Sequence, residues 1–282
     1  MSYSTLVVEA IRQHTADTKS IEFTPSESWS YKPGQFLTIV RKHRDQEIRR
    51  QYSFSSHPML DRRPTITFKR IPNGEVSRWL FDDVKVGHSI QTIGASGYFT
   101  LPDDTSSFEK ILLLSAGSGI TPNFSIIKEV LHFHPHLSCV LIYSNHSEES
   151  TLFLKELRAL QQAFASRLSV EFLFSNARDL KRARLGKYVL EELFRLHVPH
   201  PQKTLAFVCG PLDYRQMANI TLLNEGIPAD QIRKEIFHTP LAAARPEPRD
   251  KDKHRVEVLF EGNKHQFDVQ YPDTILQAAK NK

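Results

Sequence analysis

Short β-rich runs, apolar residues set among polar ones, dominate the chain from Leu6 to Leu101. Short runs of this kind cover Leu6 to Ile11, Lys19 to Phe23, Phe36 to Val40, Gln51 to Ser55, Thr65 to Arg70 and Ser89 to Ile93. Gly and Pro punctuate them at Pro33-Gly34, Pro72-Asn73-Gly74, Gly87, Gly94 and Gly97. Strands broken this often predict an antiparallel β-barrel or sandwich, with one helix from Val76 to Phe81.

After Pro102-Asp103-Asp104 the pattern changes to fully apolar strands alternating with amphipathic helices. The strands are Ile111 to Leu114, Cys139 to Tyr143, Val170 to Phe174 and Leu205 to Val208; the helices are Asn123 to His132, Thr151 to Phe164, Tyr188 to Leu196 and Tyr214 to Glu225. Strands buried on both faces with helices between them predict a parallel-sheet α/β domain. Thr239 to Arg255 is rich in Pro and charge and reads as a linker. Beyond it, Val256 to Phe260 and His265 to Val269 alternate as a β-hairpin around Gly262-Asn263, and a short helix starts at Thr274. The expected division is a β-barrel over 1–104, an α/β domain over 105–238, a linker over 239–255 and a partial domain over 256–282. That last piece is too short to bury a core alone.

Composition narrows the class. The 282 residues are 40% apolar, with 18 Phe, 8 Tyr and 2 Trp, which excludes a chain disordered throughout. A net charge of +5 without a dense Lys/Arg run gives no footprint for nucleic acid. Cys139 and Cys209 lie in apolar runs, as in a reducing compartment, and cannot form a four-thiolate site. No apolar run approaches the ~20 residues that span a bilayer, and the first residues lack a signal pattern, so a cytoplasmic protein without membrane contact is expected. His132, His134 and His136 alternate beside Pro135 without a Cys or carboxylate at ligand spacing; they read as a polar surface cluster, and no metal is assigned.

Three constellations carry chemistry. Ser115-Ala116-Gly117-Ser118-Gly119-Ile120-Thr121-Pro122 joins a buried strand to a helix, where glycines permit a tight turn and free amides attract phosphate. Pro122 stands where GxGxxG has its third glycine, which disfavours an ordinary Rossmann enzyme; a turn without ligand is the alternative. Arg50-Gln51-Tyr52-Ser53 puts Arg50 and Tyr52 on one strand face and Ser53 on the other. Such an Arg can hold a diphosphate, a Tyr ring can cover a planar cofactor and a Ser hydroxyl can bond a ring nitrogen; an exposed cross-strand pair is the alternative. Gly74-Glu75-Val76-Ser77 opens a helix and can cap it or bind an anion.

With Pro33-Gly34-Gln35-Phe36, Gly97-Tyr98-Phe99 and Cys209-Gly210-Pro211, these motifs run in an order that resembles the ferredoxin-NADP reductase superfamily of flavoproteins. Within it the chain is most similar to the iron–sulfur flavoprotein reductases of bacterial oxygenases, of the phenylacetyl-CoA epoxidase reductase and flavohaemoglobin type. The resemblance implies that Arg50 pairs with a flavin diphosphate, Tyr52 packs on the isoalloxazine and Ser53 bonds near its reactive nitrogen. It implies that the backbone of Lys69, Arg70 and Ile71 lines the flavin and that Gly74, Glu75, Val76 and Ser77 hold its diphosphate. Gly117, Ser118, Gly119, Thr121 and Pro122 would receive the nicotinamide dinucleotide with Gly210 and Pro211, Thr121 facing the gap between nicotinamide and flavin. Cys209 would lie beside the nicotinamide, and Glu235 and Phe237 at the flavin edge, although Phe237 reads equally as core.

The cofactors implied are FAD, in preference to FMN, and NADPH, in preference to NADH. The nucleotide preference rests on Ser144-Asn145-His146 replacing a carboxylate after the second α/β strand, with Arg178, Lys181 and Lys187 as candidate cations. The tail from Val256 resembles the opening of a plant-type ferredoxin, so a [2Fe-2S] group is expected only in a longer chain that includes the cysteine loop. Electrons would pass to a ferredoxin domain or an oxygenase component. A stand-alone diaphorase or flavin reductase is the alternative, and a non-catalytic nucleotide-binding module a third.

Overall fold

The computed structural model describes residues 3–25, 30–43, 46–177, 183–237, 250–260 and 262–280. Strands β1 (Ser4–Thr15), β2 (Thr18–Phe23), β3 (Phe36–His43), β4 (Gln46–Ser53), β5 (Thr65–Lys69) and β6 (Ser89–Ser96) form one antiparallel sheet in the order β4-β3-β6-β1-β2-β5. Phe54, just past β4, bridges Ile66 of β5, so the two edges meet and the sheet closes into a barrel. Leu6, Ile21, Phe23, Leu37, Phe54, Ile66 and Ile90 fill it, and helix α1 (Glu75–Asp82) adds Val76 and Leu80. β4 begins at Gln46 rather than Gln51. The run Glu47-Ile48-Arg49-Arg50 is strand because its ladder lies on β3, and charges are tolerated on such an edge.

Strands β7 (Lys110–Ala116), β8 (Ser138–Asn145), β9 (Leu168–Phe174), β10 (Thr204–Cys209) and β11 (Ile232–Glu235) form a parallel sheet in the order β11-β10-β7-β8-β9. Helices α2 (Ile120–Phe133) and α3 (Leu154–Ala163) contribute Phe124, Ile127, Leu131 and Leu157 to the core on one face. Helices α4 (Lys187–His197) and α5 (Leu212–Asn224) contribute Leu190, Leu193, Phe194, Ala218 and Leu222 to the other. The chain order runs outward in opposite directions from β7 and from β10. The carboxyl ends of those two neighbours therefore flank a topological switch point, where open α/β sheets hold ligands.

Two boundaries depart from the hydrophobic pattern for identifiable reasons. α2 starts at Ile120 rather than Asn123 because Pro122 falls in the first turn, where its missing N–H costs nothing. α3 starts at Leu154 rather than Thr151: Phe153 adopts a left-handed backbone (φ 57°), and its ring stacks on Phe124 with centroids 4.4 Å apart.

The chain divides into two compact units, Met1–Phe237 and His238–Lys282. In the second, β12 (His254–Phe260) and β13 (Asn263–Val269) pair antiparallel and α6 (Ile275–Lys280) follows. Most of the expected linker, 239–249, lies outside the described residues. Among the described residues no helix is long and apolar enough to cross a membrane.

Candidate functional site

The first unit holds two strand-to-helix glycine turns. β5, which leads into the Gly74 turn, runs alongside the Gly117–Gly119 turn that follows β7.

On the barrel side Ser53 ends β4 and is buried, and its Oγ has no hydrogen-bond partner among the described residues. An unpartnered buried hydroxyl costs about 1–3 kcal/mol, so this atom is suited to a ligand that completes it. Tyr52 is half-buried and packs edge-on against Phe68, centroids 5.5 Å apart, and burial raises its phenol above the usual range. Arg50 is exposed, and its Nη1 donates to the Arg49 carbonyl at 2.7 Å. Lys69 pairs with Asp17 at 2.9 Å and Arg70 grips Asp82 at 3.0 Å, which leaves the backbone of this stretch, with half-exposed Ile71, as its ligand-facing part.

The Gly74 turn is braced from within. Ser77 is buried; its Oγ accepts from the Ile71 N–H at 3.2 Å and donates to the Gly74 carbonyl at 3.2 Å. The hydroxyl of Ser77 therefore holds the turn and does not point outward as an anion ligand. What α1 offers instead is its first-turn N–H groups at Glu75, Val76 and Ser77, which no side chain among the described residues caps. Arg41, which the sequence motifs passed over, reaches this helix end: its Nη1 donates to the Glu75 carbonyl at 3.0 Å and its guanidinium lies 5.1 Å from the Trp79 ring centroid. Only the strand pairing brings Arg41 there, and no spacing rule announces it.

On the α/β side Gly117 has φ 53° and open space where a Cβ would be. Gly119 has none: a Cβ there would lie 2.3 Å from the Cys209 carbonyl oxygen. The two turns at the switch point are thus pressed backbone to backbone, and Gly210, accepting the Arg215 Nε–H at 3.0 Å, leads through Pro211 into α5. Ser118 and Thr121 brace the turn, since Thr121 is buried and its Oγ1 donates to the Ser118 carbonyl at 3.0 Å. Thr121 was expected to face the cofactor gap; its hydroxyl is spent inside the turn, and Pro122 is buried beneath it.

Cys209, wholly buried, pairs in register with Glu235 of β11. Burial, and then the neighbouring Glu235 carboxylate, push the Cys209 thiol well above its ordinary range. Burial raises Glu235 to about 7, opposed by the Ile236 backbone N–H and by Arg215. Phe237 follows the end of β11 and is 38% exposed, so it is not core.

At the end of β8, Ser144 and Asn145 are half-buried, and His146 Nδ1 lies 3.0 Å from Ser175 Oγ. Lys187 opens α4 and pairs with Glu191 at 3.7 Å. Arg178 and Lys181 lie outside the described residues. Of the histidines near Pro135, His132 and His136 are exposed and His134 is half-buried; His134 and His136 both bond Thr105 Oγ1, at 3.1 and 3.3 Å, and His134 meets Glu129 at 3.2 Å.

Residues 5–101 match the family model described as "Oxidoreductase FAD-binding domain", and residues 113–221 match "Oxidoreductase NAD-binding domain". The chain is 34% identical over 275 residues to the 3-ketosteroid-9-alpha-monooxygenase ferredoxin reductase component of Rhodococcus rhodochrous, covering 93% of this chain and 75% of that protein. It is 28% identical over 246 residues to one of the subunits of 1,2-phenylacetyl-CoA epoxidase from Escherichia coli K12, covering 85% and 69%. Against two mycobacterial ferredoxin reductase components it spans 65% and 60% of their length. A ferredoxin NADP+ reductase from Neisseria gonorrhoeae with bound FAD and NADP superposes with a TM-score of 0.70 at 23% identity, over 84% of this chain and 99% of that one, which shows a shared fold.

Proposed function

The chain belongs to the FAD- and NAD-binding oxidoreductases of ferredoxin reductase type, and on that premise we propose that it passes electrons from NADPH through FAD to an iron–sulfur centre serving an oxygenase. Its relatives' names describe ferredoxin reductase components of a monooxygenase and one of the subunits of an epoxidase. The observation that carries the reading is Ser53 Oγ, buried and without a partner among the described residues on the barrel wall that adjoins the nucleotide-binding type of glycine turn.

FAD, when bound, supplies the conversion from a two-electron hydride donor to a one-electron acceptor. The residues present fit it. Arg50 is free to make a charge-assisted contact to its diphosphate, and the uncapped amides at the start of α1 complement the same charge. Ser53 donates its hydroxyl proton to an acceptor held against the strand end, while Tyr52 shields that surface. Across the junction, the contact of Gly119 with Cys209 keeps both switch-point turns close enough to grip a dinucleotide. Glu235, raised to about 7, can hold a proton at its carboxyl near neutral pH beside Cys209. The proposed preference for NADPH rests on the absence of a carboxylate from Ser144-Asn145-His146. For the second unit we propose the opening hairpin of a plant-type ferredoxin; cluster ligands would come from a cysteine loop that is not in these 282 residues.

The purified chain should be yellow, and NADPH should bleach it anaerobically faster than NADH. Arg50→Ala should lower flavin affinity at least tenfold, measured by quenching of FAD fluorescence. A colourless protein that binds no FAD overturns the reading; a clear preference for NADH overturns the nucleotide assignment alone.

A further inference from the structure

The loop after Ser53 is bolted to the helix after Gly119. Three successive turns of α2 grip it. Ser125 Oγ donates to the Ser56 carbonyl at 2.7 Å, wholly buried. One turn on, Lys128 Nζ meets Asp61 at 2.7 Å and Glu129 Oε2 lies 2.5 Å from Nε2 of buried His57. At the end of the helix, Phe133 stacks on the His57 imidazole with centroids 5.1 Å apart and planes within 8°.

The loop is in turn organised around His57. Its Nδ1 faces the Met59 and Leu60 N–H groups at 3.1 and 3.3 Å, and its own N–H donates to Asp61 at 2.6 Å. Two donors on Nδ1 assign the ring proton to Nε2, so His57 donates to the Glu129 carboxylate. That bond, first, and His134 hold Glu129 below the usual carboxylate range.

We propose that His57 and Glu129, aided by Ser125 and Lys128, are positioning residues that set the distance and angle between Ser53 and the Gly117–Thr121 turn. The proposal rests on the functional reading above. Ser53 lies four residues before His57, and Thr121 lies at the start of the helix that carries Glu129. Neither clamp residue touches a cofactor surface assigned above, yet each belongs to an element that begins or ends at one. Stacking of a nicotinamide on a flavin depends steeply on geometry, and a shift of about 1 Å can cost a hundredfold in rate.

The test uses the full chain as Glu129→Ala, Glu129→Gln and Ser125→Ala. In the flavin-free protein, hydrogen exchange at Met59 and Leu60 should accelerate at least tenfold in Glu129→Ala. Nitrogen-15 shifts should report the Nε2–H tautomer of His57 in the parent chain, as the two N–H donors on Nδ1 require. With FAD loaded, Glu129→Ala should retain its flavin affinity and NADPH dissociation constant while the anaerobic reduction rate falls at least tenfold. Glu129→Gln, whose amide oxygen still accepts from His57, should recover most of that rate. Glu129→Ala with an unchanged reduction rate, or loss of rate only in step with loss of flavin, overturns the proposal. A parent protein that binds no FAD defeats the functional reading instead, and the exchange and tautomer results then judge the clamp by itself.

Discussion

The two glycine turns solve one problem by different means. At Gly74 the obstacle to a Cβ is chiefly a side chain: the Ser77 hydroxyl would stand 2.3 Å away. At Gly119 the obstacle is backbone, the Cys209 carbonyl at the same 2.3 Å. A hydroxyl can rotate, whereas a carbonyl at the end of a central strand cannot leave without moving β10. The barrel-side turn is therefore a locally braced unit on a helix that ends at Asp82, and the α/β-side turn is locked into the sheet itself.

The largest expected effect tests that lock. Gly119→Ala should destabilise the first unit by about 3 kcal/mol or more, as overpacking against rigid neighbours does, and thermal denaturation would show it. Survival with a near-parental Tm would erase the contrast. Next comes the carboxyl beside Cys209. Because the folded chain keeps its proton on Glu235 up to about 7, this group subtracts stability as pH rises from the ordinary carboxylate range to neutrality, and nothing further above that. Glu235→Gln should therefore narrow the difference in Tm between pH 5 and pH 8, with the gain at the higher pH. On the barrel side, Ser77→Ala strands the Ile71 N–H, while the Gly74 carbonyl keeps the Arg78 N–H, and should cost about 1–2 kcal/mol, with loosened flavin binding read by fluorescence. The smallest effect is reserved for Gly117→Ala. Space is open there, so only the left-handed backbone opposes it, at about 1 kcal/mol, and chemical denaturation would measure the difference from Gly119→Ala.

Much of this contrast was legible in the chain and some of it could not be. Gly and Pro punctuation marks the short barrel strands, and unbroken apolar runs mark β7 and β10 because both faces are covered. The turns announce themselves through Gly, Ser and Pro at strand-to-helix boundaries. Charged β4 residues hide a strand start, since an edge needs no apolar pattern, and Phe153 hides a helix start by taking a backbone conformation normally left to glycine. His57 and Glu129 lie 72 positions apart on different domains, so no local rule pairs them. The inward aim of Ser77 and Thr121 was equally invisible, because a hydroxyl that braces a turn and one that binds an anion occupy the same place in a motif.

The barrel's first strand has a consequence in time as well as space. β1 pairs with β2 as soon as both are made, but its other partner is β6, with Ser4 opposite Thr92, so one edge of β1 waits for nearly the whole barrel. The α/β sheet grows differently, with β7, β8 and β9 added in the order they are made. Non-local closure is slow and local accretion fast. Newly made chains should thus pass through a stage in which the β1–β2 and β3–β4 pairs each present an open edge until β6 arrives between them, and this is the interval in which a chaperone that holds extended apolar segments would act on them.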